Sequence, residues 1–80
     1  MVVASKIKLA DARAELGLTQ SALAVLAGVS KPVVVNAESG RHAIQRIGAH
    51  RILRVLNEAR GEAYMSPLSI TDIDWKIVGE

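Results

Sequence analysis

Cysteine and phenylalanine are absent from this 80-residue chain, and Tyr64 and Trp75 are its only aromatic rings. Without cysteine there is no disulfide and no thiolate metal site. Without more rings, a core has to be assembled from Leu, Ile, Val and Ala, which the chain supplies: half of its residues are apolar. His42 and His50 have no acidic partner at ligand spacing, so no metal site is expected. No apolar run approaches the ~20 residues that span a bilayer, and Met1 to Ser5 lacks the length of a secretory leader. The expectation is a soluble, cytoplasmic protein. Paired carboxylates, a nucleophile–base pair and a phosphate-binding glycine loop are also missing, and a short helical chain has little room for a pocket. Both points argue against an enzyme.

What is present is unevenly distributed. Residues 1–61 carry nine basic side chains against four acidic ones, and residues 62–80 carry one against four, within a net charge of +2. A basic body with an acidic end suits a polyanion on one face. A solvated surface with unevenly placed charges would give the same balance.

The organising stretch runs from Leu18 to Gly40. Thr19 can accept from free backbone N–H groups as an N-cap, and Leu23, Leu26 and Ala27 recur behind it at helical spacing. Gly28 can take the left-handed conformation that ends a helix. Ser30 is a second candidate N-cap, Pro32 is tolerated in a first turn, and Gly40 closes the unit. Two helices, about Gln20 to Ala27 and about Lys31 to Ser39, joined by a Gly-Val-Ser corner, have the layout of a helix-turn-helix. The run Val33-Val34-Val35 favours strand by propensity, but the caps and the corner are in register and override it. Val34, Ala37 and Glu38 fall on the inward face. Lys31, Pro32, Val35, Asn36 and Ser39 are left outward or on the shoulder, with Val33 between.

Gly17-Leu18-Thr19-Gln20, Leu23-Ala24, Gly28-Val29-Ser30 and Glu38-Ser39-Gly40 together resemble the signature of the lambda-repressor-like (Cro/XRE) family, over about residues 6 to 60. The resemblance implies an all-α fold, a compact bundle of four to five helices with the helix-turn-helix at the second and third. It implies a double-stranded DNA partner and no cofactor. Arg13 and Glu38 stand where the family pairs an arginine with a glutamate inside the domain. The helix at 31–39 would be the recognition helix, with Lys31, Pro32, Val33, Val35 and Asn36 as candidate base contacts. Thr19, Gln20, Ser30, Ser39, Arg41, His42 and Arg46 are candidate phosphate contacts. Ala37 is smaller than the bulky apolar residue usual at its position, and outward valines are unusual on a major-groove surface.

Elsewhere, Ser5 is a candidate cap for a first helix running to about Leu16, with an apolar stripe of Ile7 or Leu9, Ala12 and Leu16. A fourth helix from Arg46 to about Arg60 carries Ala49, Ile52 or Leu53, Leu56 and Ala59, with Arg46, Arg51 and Arg54 outside or beside that stripe. Residues 1–61 therefore read as the helix-turn-helix domain. Residues 62–80 read as a connector and a short capping or dimerisation segment of the same domain. That segment has two readings. As a helix, which the resemblance favours, Thr71 and Asp74 form a capping box and Ile70 and Trp75 a hydrophobic staple. As a strand, Ile73, Trp75 and Ile77 line one face. In either case Ile70, Ile73, Trp75 and Ile77 cap the core or meet a second chain.

The expected function is a sequence-specific transcriptional regulator, a repressor that binds a near-palindromic operator as a homodimer. The alternative is a protein-binding helix-turn-helix module, such as an antitoxin that neutralises a partner protein.

Overall fold

The computed structural model describes residues 6–79. In chain order the elements are β1 (Ile7–Lys8), α1 (Leu9–Glu15), α2 (Gln20–Ala27), α3 (Lys31–Ser39), α4 (Arg46–Glu62), a 3-10 turn (Ile70–Asp72) and β2 (Ile73–Asp74). The two central helices have the boundaries expected from the caps. Thr19 Oγ1 accepts from the Ala22 N–H at 3.0 Å. Gly28 and Gly40 end their helices in the left-handed region, at φ of 70° and 68°, where a Cβ would be costly. Ser30 holds the extended backbone of an N-cap, but its side chain makes no capping bond. Pro32 in that first turn has no N–H to cap, which lowers the demand.

Leu9, Ala12, Leu23, Ala24, Ala27, Val34 and Ala37 from the first three helices meet Ala49, Ile52, Val55 and Leu56 from α4 in one core. Leu26, expected inward, is 56% exposed, and Ala24 takes its place in the core. The buried arc of α2 runs from Leu23 through Ala27 to Ala24, and at 100° per residue Leu26 falls about 60° outside it. Val29 and Val33 are half-buried against the core, with a methyl of each beside Gly48 of α4.

The chain ends differ more from expectation. Residues 7 and 8 form a strand and α1 starts only at Leu9, with Lys8 in the cap position; Ser5 lies outside the described residues. β1 pairs in parallel with β2, Ile7 opposite Ile73 and Lys8 opposite Asp74. An isolated parallel bridge joins Ile44 to Ile77. The helical reading of the C-terminal segment survives as one 3-10 turn, capped two residues earlier than expected, by Ser69 and Asp72. From Ile73 onward the extended reading describes the chain. Ile73, Trp75 and Ile77 are buried in the core, while Asp74 and Lys76 between them are exposed. Alternation of this kind is the side-chain pattern of a strand. Ile70 packs half-buried beside them. This segment therefore closes the molecule's own core.

It is tied down by bonds to main chain. Asn57 Nδ2 donates to the Leu68 carbonyl at 2.9 Å and the Leu68 N–H donates to Asn57 Oδ1 at 2.8 Å. Arg60 Nε donates to the Ser66 carbonyl at 2.7 Å, and Trp75 Nε1 to that of Ile70 at 3.1 Å. Among the described residues no helix is long and apolar enough to cross a membrane.

Candidate nucleic-acid interface

Three helices converge on one carboxylate. Arg13 in α1 donates through Nε to Glu38 Oε2 at 2.6 Å and through Nη2 to Oε1 at 3.1 Å, a two-bond fork. Its Nη1 donates to the Leu18 carbonyl at 2.9 Å, and Gln20 Nε2 donates to Glu38 Oε1 at 2.9 Å. The Arg13 and Glu38 side chains are only 19% and 10% exposed. Burial pushes the Glu38 carboxyl up. The bonds from Arg13 and Gln20 and the Arg13 charge outweigh that, and hold it below its ordinary value of 4.5. The bond to Glu38 raises the Arg13 guanidinium against the desolvation that lowers it. The network fixes the inner face of α3 to α1 and to the first turn of α2. It thereby determines which face of α3 looks outward.

That outer face holds Lys31, Pro32, Val35 and Ser39, all exposed, with Asn36 and Val33 half-buried on one shoulder. The shoulder borders a largely apolar recess with Val29, Ala43, Ile47 and Gly48. Lys31 borders a second, more open recess with Thr19, Gln20 and Ser21 at the start of α2. Arg41, His42 and Arg46 are exposed along the loop and the first turn of α4. The structure thus brings the starts of α2 and α3 together, with the loop after α3 beyond them.

Several candidate phosphate contacts already have internal bonds. Gln20 is committed to Glu38 through one amide hydrogen, although the amide nitrogen carries two. Ser39 Oγ donates to the Asn36 carbonyl at 3.2 Å and accepts from the Arg41 N–H at 3.3 Å, so it shapes the loop that presents Arg41. Thr19 is occupied as a cap, but its hydroxyl proton remains available.

Sequence reasoning missed three residues that hold these parts in place. Arg51 is exposed, yet its Nη1 donates to the Gly28 carbonyl at 3.3 Å and ties α4 to the corner of the motif. Arg60 is buried, with Nη1 3.7 Å from Glu15 Oε2, and Asn57 anchors the connector as described. For Arg60, the one available signal was an arginine on the same helical face as Ala49, Ile52 and Leu56.

A family model described as helix-turn-helix matches residues 9–61. An uncharacterised HTH-type transcriptional regulator of Methanothermobacter thermautotrophicus is 40% identical over 62 residues, which cover 78% of this chain and 84% of the relative. No solved structure matches the chain.

Proposed function

The chain belongs to the lambda-repressor-like (Cro/XRE) helix-turn-helix family of DNA-binding transcriptional regulators, and from that premise we propose that it is a repressor working as a homodimer on a near-palindromic operator. The supporting observation is the outer face of α3, left open by a network that locks the opposite face to α1 and α2. One helix of this length reaches few bases, so useful specificity calls for two copies on half-sites one helical turn apart, ~34 Å. Binding there excludes other proteins from a promoter. The chemistry is recognition without catalysis, in the compartment that holds the DNA.

Asn36 is the best direct reader, because its amide offers a donor and an acceptor together to adenine N7 and N6. Such a contact discriminates by ~1–3 kcal/mol. Lys31 is placed to reach a guanine or a phosphate, and Pro32, Val33 and Val35 supply apolar contacts for thymine methyl groups. Thr19, Gln20, Ser30, Ser39, Arg41, His42 and Arg46 position the duplex through its phosphates, which carry no sequence information. Binding titrations against a selected operator and its single-base variants, at several salt concentrations, test this division. Asn36→Ala is expected to relax preference at one symmetric pair of positions and leave the salt slope unchanged. Arg41→Ala should weaken every sequence alike and lower the slope by about one unit. Intact base preference in Asn36→Ala would reject the assignment.

A second reading, a protein partner, draws support from α2, where Val25 is 79% and Leu26 56% exposed. An apolar contact there would keep its affinity in added salt, whereas a DNA contact would lose it.

A further inference from the structure

We propose that Lys8 and Lys76 make two further phosphate contacts at the C-terminal end of α3, so that β1 and the extended segment after β2 enlarge the DNA-binding face as well as closing the core. The proposal rests on the reading that α3 and the loop after it face the duplex.

The placement follows from strand register. Lys8 is the parallel partner of Asp74, two residues before Lys76. Alternation along residues 73–77 turns Ile73, Trp75 and Ile77 into the core, which leaves Lys76 outward. The Lys76 carbonyl accepts from the Ile44 N–H at 2.9 Å, and the Val78 N–H donates to the Ile44 carbonyl at 2.9 Å. Those two bonds lay Lys76 beside the loop that carries Arg41 and His42. Lys8 and Lys76 then line one surface recess together with Ser39 and Gly40, the last turn of α3.

Charge decides what this recess takes. Two carboxylates also border it, Glu38 and Asp74. Glu38 is neutralised by Arg13 and shares its oxygens with Gln20. Asp74 opposes one of the two lysines, and Arg41 follows directly after Gly40. Among the described residues, neither lysine forms an ion pair. The balance is cationic, and the partner already expected on the neighbouring loop is a phosphodiester chain. Among residues 62–80, Lys76 is the one basic side chain, and it lies where the strand runs alongside that loop. A competing role is available, since lysines near a helix C-terminus also favour its dipole. That role affects stability and leaves DNA binding untouched.

Phosphate contacts are independent of sequence, so a random-sequence duplex of about three helical turns is a sufficient probe. Lys8→Gln/Lys76→Gln keeps much of each stem while removing both charges. Its salt slope should fall by nearly two units, at about 0.9 for each phosphate no longer neutralised, against nearly one unit for Arg41→Ala. Unchanged Trp75 fluorescence and an unchanged denaturation midpoint show that the variant is folded. Should it lose fold, the single Lys76→Gln, expected to lower the slope by nearly one unit, replaces it. An unchanged slope in the lysine variants beside a lowered slope in Arg41→Ala would overturn the proposal and leave the α3 reading standing. Unchanged slopes in all of them would overturn both.

Discussion

The junction of α1, α2 and α3 and the junction of α4 with the C-terminal segment are both held by polar groups, but of different kinds. In the first, side chains bind chiefly side chains: Arg13, Gln20 and Glu38 meet on one carboxylate, with one further bond from Arg13 to the Leu18 carbonyl. In the second, side chains bind main chain: Asn57 pairs with both polar groups of Leu68, Arg60 reaches the Ser66 carbonyl and Trp75 that of Ile70. The left-handed positions differ too. Glycines occupy them at the corners around α3, whereas Tyr64, 99% exposed, takes φ of 58° after α4. A side-chain pair requires two residue identities at once, so it leaves a readable constellation. A bond to main chain requires one identity and a path that almost any residue can follow.

The largest expected effect lies in the first junction. Glu38→Ala strands a mostly buried guanidinium, and removing one member of such a pair costs ~3–5 kcal/mol. A denaturation midpoint within the range of ordinary surface changes, ~0.5 kcal/mol, would contradict it. The pair also has a pH signature. The folded-state carboxyl of Glu38 is depressed, so its contribution is full above the ordinary value of 4.5 and fades as pH falls through the lower folded value. Glu38→Gln should therefore show a shallower loss of stability below that pH than the parent chain.

Next is Asn57→Ala. It leaves the N–H and the carbonyl of Leu68 without partners in a half-buried stretch of the connector, about 1–3 kcal/mol. Hydrogen exchange at Leu68 should accelerate, and Trp75 fluorescence should change before the helices unfold. If the amide stays protected, the connector is held by apolar packing, and the contrast between the two junctions weakens.

The smallest effect has the opposite sign. Tyr64 ends α4, with the Met65 N–H donating to the Arg60 carbonyl at 2.8 Å and the Tyr64 N–H to that of Gly61 at 3.1 Å. Tyr64→Gly relieves the steric cost of the left-handed backbone and should raise stability by about 1 kcal/mol. A lower melting temperature would mean that the extra freedom of glycine in the unfolded chain costs more than the strain it relieves.

The same distinction explains what could be read from the amino acids. The boundaries of α2 and α3 depend on caps at fixed spacing and were legible in the residues themselves, whereas the Arg13–Glu38 pair was legible through the family resemblance. The C-terminal cap was expected at Thr71 and Asp74, and Ser69 and Asp72, which have the same spacing, were passed over. The structure uses the earlier pair, since Ile73 is needed opposite Ile7, a neighbour nearly the whole chain away. No local pattern announces such a partner. Burial of Arg60 was hidden for a related reason: its acceptor is a carbonyl of the connector, whose path was not visible. In the proposed DNA face, the sequence named side chains without their prior engagements. Gln20 and Ser39 turned out to be bonded within the fold.

The pairing of β1 with β2 also sets an order of events. Helices and the corner between them are built from neighbours along the chain, while Ile7 and Ile73 must close a loop spanning almost all of it. Closure entropy is met only once the helices have gathered the two ends. On the ribosome, the first strand has no partner until residues 73–77 emerge, so the bundle forms first and the seam last. Contacts made that late are largely absent from the transition state. Weakening them should hasten unfolding far more than it slows folding, so the seam governs how long a folded molecule lasts.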